Sequence, residues 1–178
     1  DRSRPGVDDT TPWPALSTEQ QSEMDQVVTM LREAADQGHM RAQAYCGSLY
    51  WFGRGVAKDD RRAFVYYEKA AKQGDLRCQH NIGIRYWDGR GCKQSYERAV
   101  EWLEKAARQG VAMAQVSLGL AYYHGQGVPQ SDERAFELYK QSAAQGDSDA
   151  QHNIGACYRD GRLGCKHSYA LSLIHISE

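Results

Sequence analysis

The chain is predicted to be all-α, a right-handed α-solenoid of helix-turn-helix repeats with a 36-residue period. Three observations predict it. An Ala-Ala-x-Gln-Gly strip ends at Gly38, Gly74, Gly110 and, with Ser142 in place of one alanine, Gly146, each 36 residues after the last. Counting forward from each anchor, Gln43, Gln79, Gln115 and Gln151, then Gly47, Gly83, Gly119 and Gly155, then Tyr50, Tyr86, Tyr122 and Tyr158 keep the same step. Each period also carries two apolar stripes of helical spacing. A self-similar period of this length marks stacked supersecondary units that bury a continuous core only against their neighbours.

Taken in order, residues 1–17 contain Pro5, Pro12 and Pro14 with no helical stripe and read as a flexible lead-in that includes Trp13. Val27, Met30, Leu31, Ala34 and Ala35 then form the stripe of a helix of the second type, so the array starts in mid-repeat. The same stripe returns as Ala63, Tyr66, Tyr67, Ala70 and Ala71; as Ala99, Trp102, Leu103, Ala106 and Ala107; and as Ala135, Leu138, Tyr139, Ser142 and Ala143. First helices read Ala42, Cys46, Leu49, Tyr50 and Ala114, Leu118, Ala121, Tyr122. A mid-helix glycine costs about 1 kcal/mol against alanine, so four in register imply close approach between the helices of a pair, with the Ala-Ala strips opposite. Asp59, Ser95, Ser131 and Ser168 stand where second helices need N-caps, and Gly38, Gly74, Gly110 and Gly146 where a left-handed cap closes them. The Gly-x-Gly loops follow helices and lack a Gly-Lys-Ser/Thr ending, which argues against a phosphate cradle. Residues 18–169 therefore hold a partial second-type helix, three full repeats and a truncated fourth.

In one unit, Ala114, Leu118, Gly119, Tyr122, Gly125, Gly127 and Val128 are joined by the pattern of Ala63, Tyr67, Lys69, Ala70, Ala71 and Gly74. This order resembles the Sel-1-like repeat family, relatives of the tetratricopeptide repeats, over residues 24–169. The resemblance implies an adaptor that holds other proteins together in signalling, cell-cycle or endoplasmic-reticulum-associated degradation complexes. At the far end, Leu171–Glu178 resembles the translation of a transposase adapter used in sequencing libraries. The repeat breaks at the same place, where Ala170-Leu171-Ser172 stands against Glu97-Arg98-Ala99. Residues 170–178 are expected to be an artefactual tail, and the natural protein to continue.

Composition narrows the function. The chain has 178 residues, 41% hydrophobic and 25% charged, and no apolar run approaches a membrane span. A net charge of -1 with scattered Lys and Arg gives no footprint for nucleic acid. Five cysteines fall on repeat positions: Cys92 and Cys165 replace Val56, and Cys78 replaces Ala42. They read as small buried hydrophobes and free thiols in a reducing compartment, with a cytoplasmic location expected and an endoplasmic-reticulum-associated one as the alternative. The cysteine pair in every repeat that the resemblance implies for secreted bacterial members is absent from the Ala-Ala strips. His80 and His152 are expected to be exposed on first helices, and no four-ligand metal spacing exists. Asp88 and Asp160 sit two repeats apart, and no nucleophile elbow or triad motif occurs, so no enzyme, cofactor or small-molecule substrate is expected.

What remains is a surface. If first helices line the concave face, Trp51, Trp87 and Tyr123 recur at one register, with Phe52, Arg77, His80 and His124 beside them. Aromatic and Arg side chains dominate interface hot spots, so the row suits capture of a peptide or helical segment of another protein. Two readings stand: the aromatics fill the seams between successive repeats, or they face the groove. The expected role is a protein-interaction scaffold; the alternative is a regulatory segment of a larger ubiquitin-ligase, degradation-complex or kinase assembly with catalysis elsewhere.

Overall fold

The computed structural model describes residues 17–161. Expectations for the lead-in, Trp13, Cys165, Ser168 and the tail lie outside the described residues. Among those described there are eight helices and no strand: α1 (Thr18–Asp36), α2 (Met40–Phe52), α3 (Asp60–Lys72), α4 (Leu76–Asp88), α5 (Tyr96–Arg108), α6 (Ala112–His124), α7 (Asp132–Ala143) and α8 (Ser148–Arg159). The starts of α2, α4, α6 and α8, and those of α3, α5 and α7, recur at the 36-residue step, and each helix packs chiefly on its neighbours in sequence. The architecture is an α-solenoid.

Caps explain the boundaries. Asp59, Ser95 and Ser131 accept hydrogen bonds from the backbone N–H of Arg62, Arg98 and Arg134, so each second-type helix starts on a side-chain cap. Asp75 and Asp147 do the same for α4 and α8, whereas His39 and Val111 give α2 and α6 no side-chain cap. The first turn of the chain comes earlier than the apolar stripe implies: α1 starts at Thr18, nine residues ahead of Val27, where the stripe begins, under a capping box in which Ser17 and Gln20 satisfy each other's backbone N–H.

The second-type stripes form the core. Ala63, Ala70, Ala99, Leu103, Ala106 and Ala135 are fully buried. The stripe of α1 departs from this at one edge, where Val27 and Met30 are 50% and 69% exposed. Their equivalents are covered: Ala63 and Ala99, at the register of Val27, are fully buried, and Tyr66 and Trp102, at that of Met30, pack against the preceding repeat, whereas among the described residues nothing precedes α1. Position, not composition, sets their exposure.

The mid-helix glycines have a different partner from the one expected. A Cβ on Gly47, Gly83 or Gly119 would stand 2.6, 2.7 or 2.5 Å from Tyr67, Leu103 or Tyr139 respectively. It is thus a large side chain of the following helix, not the Ala-Ala strip, that occupies the space each glycine leaves. Gly155 has nothing within 4 Å, since no helix after α8 is described.

A chain of side-chain amides ties the units together. Gln43, Gln79 and Gln115, all at most 6% exposed, donate from Nε2 to the carbonyls of Ala35, Ala71 and Ala107 in the preceding helix. Their Oε1 atoms accept from Gln73, Gln109 and Gln145 at the end of the following helix, at 2.7, 3.3 and 2.9 Å. Buried amides must be satisfied on both sides, and this repeated arrangement does so. Ser142, the one departure from the Ala-Ala strip, is fully buried and donates to the Ala112 carbonyl at 3.0 Å.

Cys46, Cys78, Cys92 and Cys157 are free, the first, second and fourth of them buried. Burial pushes the Cys78 thiol well above its ordinary value, which removes the reactive thiolate. Thiol titration in denaturant without reductant is expected to find all five cysteines of the chain, and on the native protein to leave Cys46, Cys78 and Cys157 unlabelled. Three or fewer thiols in denaturant would rule out the free-thiol reading.

Candidate functional site

First helices α2 and α4 lie side by side, and a cavity of about 800 Å³ opens between them. Its wall comes from the starts of both helices, with Arg41, Tyr45 and Arg77, and from their ends, with Trp51, Phe52 and Arg85. The helical period puts these residues on one face: positions 41, 45, 48 and 52 of α2, and 77, 81 and 85 of α4. Three of the sequence-predicted site residues, Trp51, Phe52 and Arg77, therefore meet in one cavity. Arg77 is exposed at its rim, Tyr45 is 63% exposed, and both aromatics of the predicted set are half-buried.

Trp51 is not bare. The Arg85 guanidinium carbon sits 3.2 Å from the centre of its ring, with Lys58 Nζ at 5.2 Å and the Arg90 guanidinium at 5.6 Å from the same centre. Arg54 lies over Phe52 at 4.5 Å. The aromatic floor is a cation-bearing surface.

The remaining predicted residues lie along later units. Trp87 is half-buried, packs against the core clusters of both the first and the second full repeat, and meets Tyr96 edge-on at 5.1 Å. Tyr123 is half-buried, donates its hydroxyl to Asp160 Oδ2 at 2.8 Å in the next unit, and stands edge-on to the exposed His124 at 5.0 Å. His80 corrects the expectation of an exposed histidine: it is half-buried because α6 covers it, with Nε2 3.4 Å from Ser117 Oγ. The Ser117 hydroxyl proton is committed to the Met113 carbonyl at 2.9 Å, which makes the imidazole the donor. Burial, and then the nearby Arg85 charge, pull His80 below its ordinary pKa, so it is neutral at pH 7. His152 is exposed as expected.

Arg85 is the residue the pattern missed. It is 6% exposed, at a register filled by Leu49, Ala121 and Cys157 in the other units. That substitution of a cation into an apolar column was the available signal. Among the described residues no group of three or more His, Cys, Asp or Glu is placed to hold a metal ion, and no helix is long and apolar enough to cross a membrane.

The Sel1 repeat model matches residues 41–75, 76–111, 112–147 and 148–175 in succession, the last running past Tyr169. The chain belongs to the Sel1 repeat family. Sel1 repeat proteins are in general non-catalytic helical scaffolds that bind other proteins. The crystal structure of c5321, a protective antigen of uropathogenic Escherichia coli strains with an SLR fold, is 36% identical to this chain, with a TM-score of 0.75 over 78% of this chain and 30% of its own. A Sel1 repeat protein from Oxalobacter formigenes is also 36% identical, with a TM-score of 0.72 over 82% of this chain and 60% of its own. The chain thus spans less than two thirds of either relative's length. Helicobacter pylori cysteine rich protein B shares the fold at 20% identity and a TM-score of 0.57, over 74% of this chain and 95% of its own. Among curated proteins none matches this sequence.

Proposed function

We propose that this Sel1 array is an interaction scaffold that holds an extended or helical segment of another protein along its first helices. The cavity between α2 and α4 carries the reading, because it joins exposed Arg77 to half-buried Trp51 and Phe52 in one concave site of peptide-binding size. Interface hot spots concentrate where aromatic and Arg side chains share a pocket sheltered from water. Trp87, Tyr123, His80 and His124 extend the proposed face beyond that cavity. The role needs no catalytic residue and no cofactor.

Selection of random decapeptides displayed on phage against the intact chain tests this. A recurring motif is expected, and alanine at Phe52 or Arg77 is expected to cost at least about 2 kcal/mol of its binding, roughly thirtyfold in affinity, with the melting curve unchanged. Failure to enrich any motif counts against the scaffold reading of this face. The same assay sorts the two bridging aromatics: a folded Trp87→Ala or Tyr123→Ala variant that loses the peptide places that residue in the site, while one that unfolds places it in the seam.

A further inference from the structure

Arg85 stands where the other units carry Leu, Ala or Cys, and only 6% of it reaches solvent. No ion pair joins it to a carboxylate among the described residues. Its buried Nε has no hydrogen-bond partner. A guanidinium cannot shed its charge, and a buried cation left without a carboxylate or a full set of acceptors is costly. Stacking on Trp51 recovers part of that cost but leaves the buried Nε–H, in the plane of the guanidinium, without an acceptor.

The rest of the cavity has the same sign. Arg41 and Arg77 line it with Arg85, while Lys58 and Arg90 flank the Trp51 ring. The acid in the lining, Asp75, is committed to capping α4 through the Cys78 N–H at 2.8 Å. Asp60 and Asp88 act on Arg85 only through space. Arg77 and Arg85 stand two turns apart on α4, about 12 Å along its axis. In an extended chain that distance spans about four residues.

We propose that the α2–α4 cavity takes an extended acidic segment of a partner protein, one side-chain carboxylate forking onto the buried Arg85 beside Trp51 and a second, about four residues away, meeting Arg77. The inference rests on the groove reading above and gives it a ligand chemistry. A free C-terminal carboxylate offers one anion and cannot serve both arginines, so side chains are the source.

Decapeptide libraries displayed with no free C-terminus distinguish the outcomes. The expected result is enrichment of Asp or Glu at two positions three to five apart. A motif without acids overturns the inference and leaves the scaffold intact; no motif at all removes both. Enrichment confined to a library that exposes its C-terminus overturns the side-chain source. On a selected peptide, each Glu→Gln change is expected to cost at least tenfold in affinity, and raising salt to weaken binding steadily. Arg85→Leu, which restores the residue found at position 49, is expected to stay folded and lose at least tenfold; Arg85→Lys, lacking the fork, is expected to lose affinity too. An Arg85→Leu variant that binds as tightly as the parent overturns the proposal. Should it unfold, the exposed Arg77→Ala variant decides: affinity unchanged overturns, a tenfold loss supports.

Discussion

Replacing Tyr139 with alanine is expected to remove about 3–5 kcal/mol of folding stability, the range for deleting a large buried aromatic. The ring is 1% exposed and fills the space beside Gly119, so its removal opens a cavity between α6 and α7. Burial also holds its hydroxyl proton on far above the ordinary range, so alkali offers no easier route to loosening that seam. Because a solenoid unit contacts only its neighbours, amide exchange should rise in α6, α7 and α8 while α2 and α3 stay protected. The partner glycine gives an internal control. Gly119→Ala alone is expected to cost about 1–3 kcal/mol by overpacking. In the Tyr139→Ala background the added methyl meets no ring and gains helix propensity, so its sign should reverse. Urea midpoints for the parent and the three variants measure this cycle; additive costs would show that Gly119 and Tyr139 do not share one space.

Gly91→Ala, like Gly127→Ala one unit later, is expected to be strongly damaging for a small substitution in a loop. Its φ of +77° already strains any residue with a Cβ, by about 1–2 kcal/mol. The added carbon would also strike backbone: it would overlap the Asp60 carbonyl oxygen and lie 2.6 Å from its carbon. Backbone at the start of a helix cannot swing aside as a side chain can, so the clash adds about 1–3 kcal/mol. Gly74→Ala separates the two terms, since φ there is +102° and nothing lies within 4 Å. The comparison is expected to show Gly91→Ala lower in urea midpoint by that clash term. Equal losses would mean that the loop of the second full repeat does not seat against α3.

The period and the second-helix caps Asp59, Ser95 and Ser131 were legible in the sequence because each repeats at one step, so chance matches cancel; the caps Asp75 and Asp147 were not, because His39 and Val111 stand at the same position in the other units. The apolar stripe alone did not reach the start of α1, because residues 18–23 are polar throughout. Ser17 and Gln20 were the readable sign. The glycine columns announced close approach, but which atoms approach is a tertiary fact: Tyr67, Leu103 and Tyr139 share no side-chain chemistry, only their place opposite the glycine. At the candidate site, aromatic residues stood out because interfaces favour them. Arg85 did not, because a single cation on a helix reads as solvent-facing until its column is compared across units. Whether Trp87 and Tyr123 are half-covered by a neighbour depends on the angle between stacked repeats, which no periodicity encodes.

The glutamine chain has a bearing on how such proteins lengthen. Gln79 reaches back to Ala71 and is reached from Gln109, and Gln115 has the same two relations one block later. The joints made by Gln43, Gln79 and Gln115 therefore have the same donor on one side and the same acceptor on the other, like the ends of interchangeable tiles. Excising 76–111 would bring Gln115 against Ala71 with its amide correctly oriented, and duplicating that block would leave no orphaned group at the new junction. Gene segments coding for whole units can thus be gained or lost by unequal recombination without a compensating change at the seam, and array length becomes free to drift while each unit's interior stays constrained.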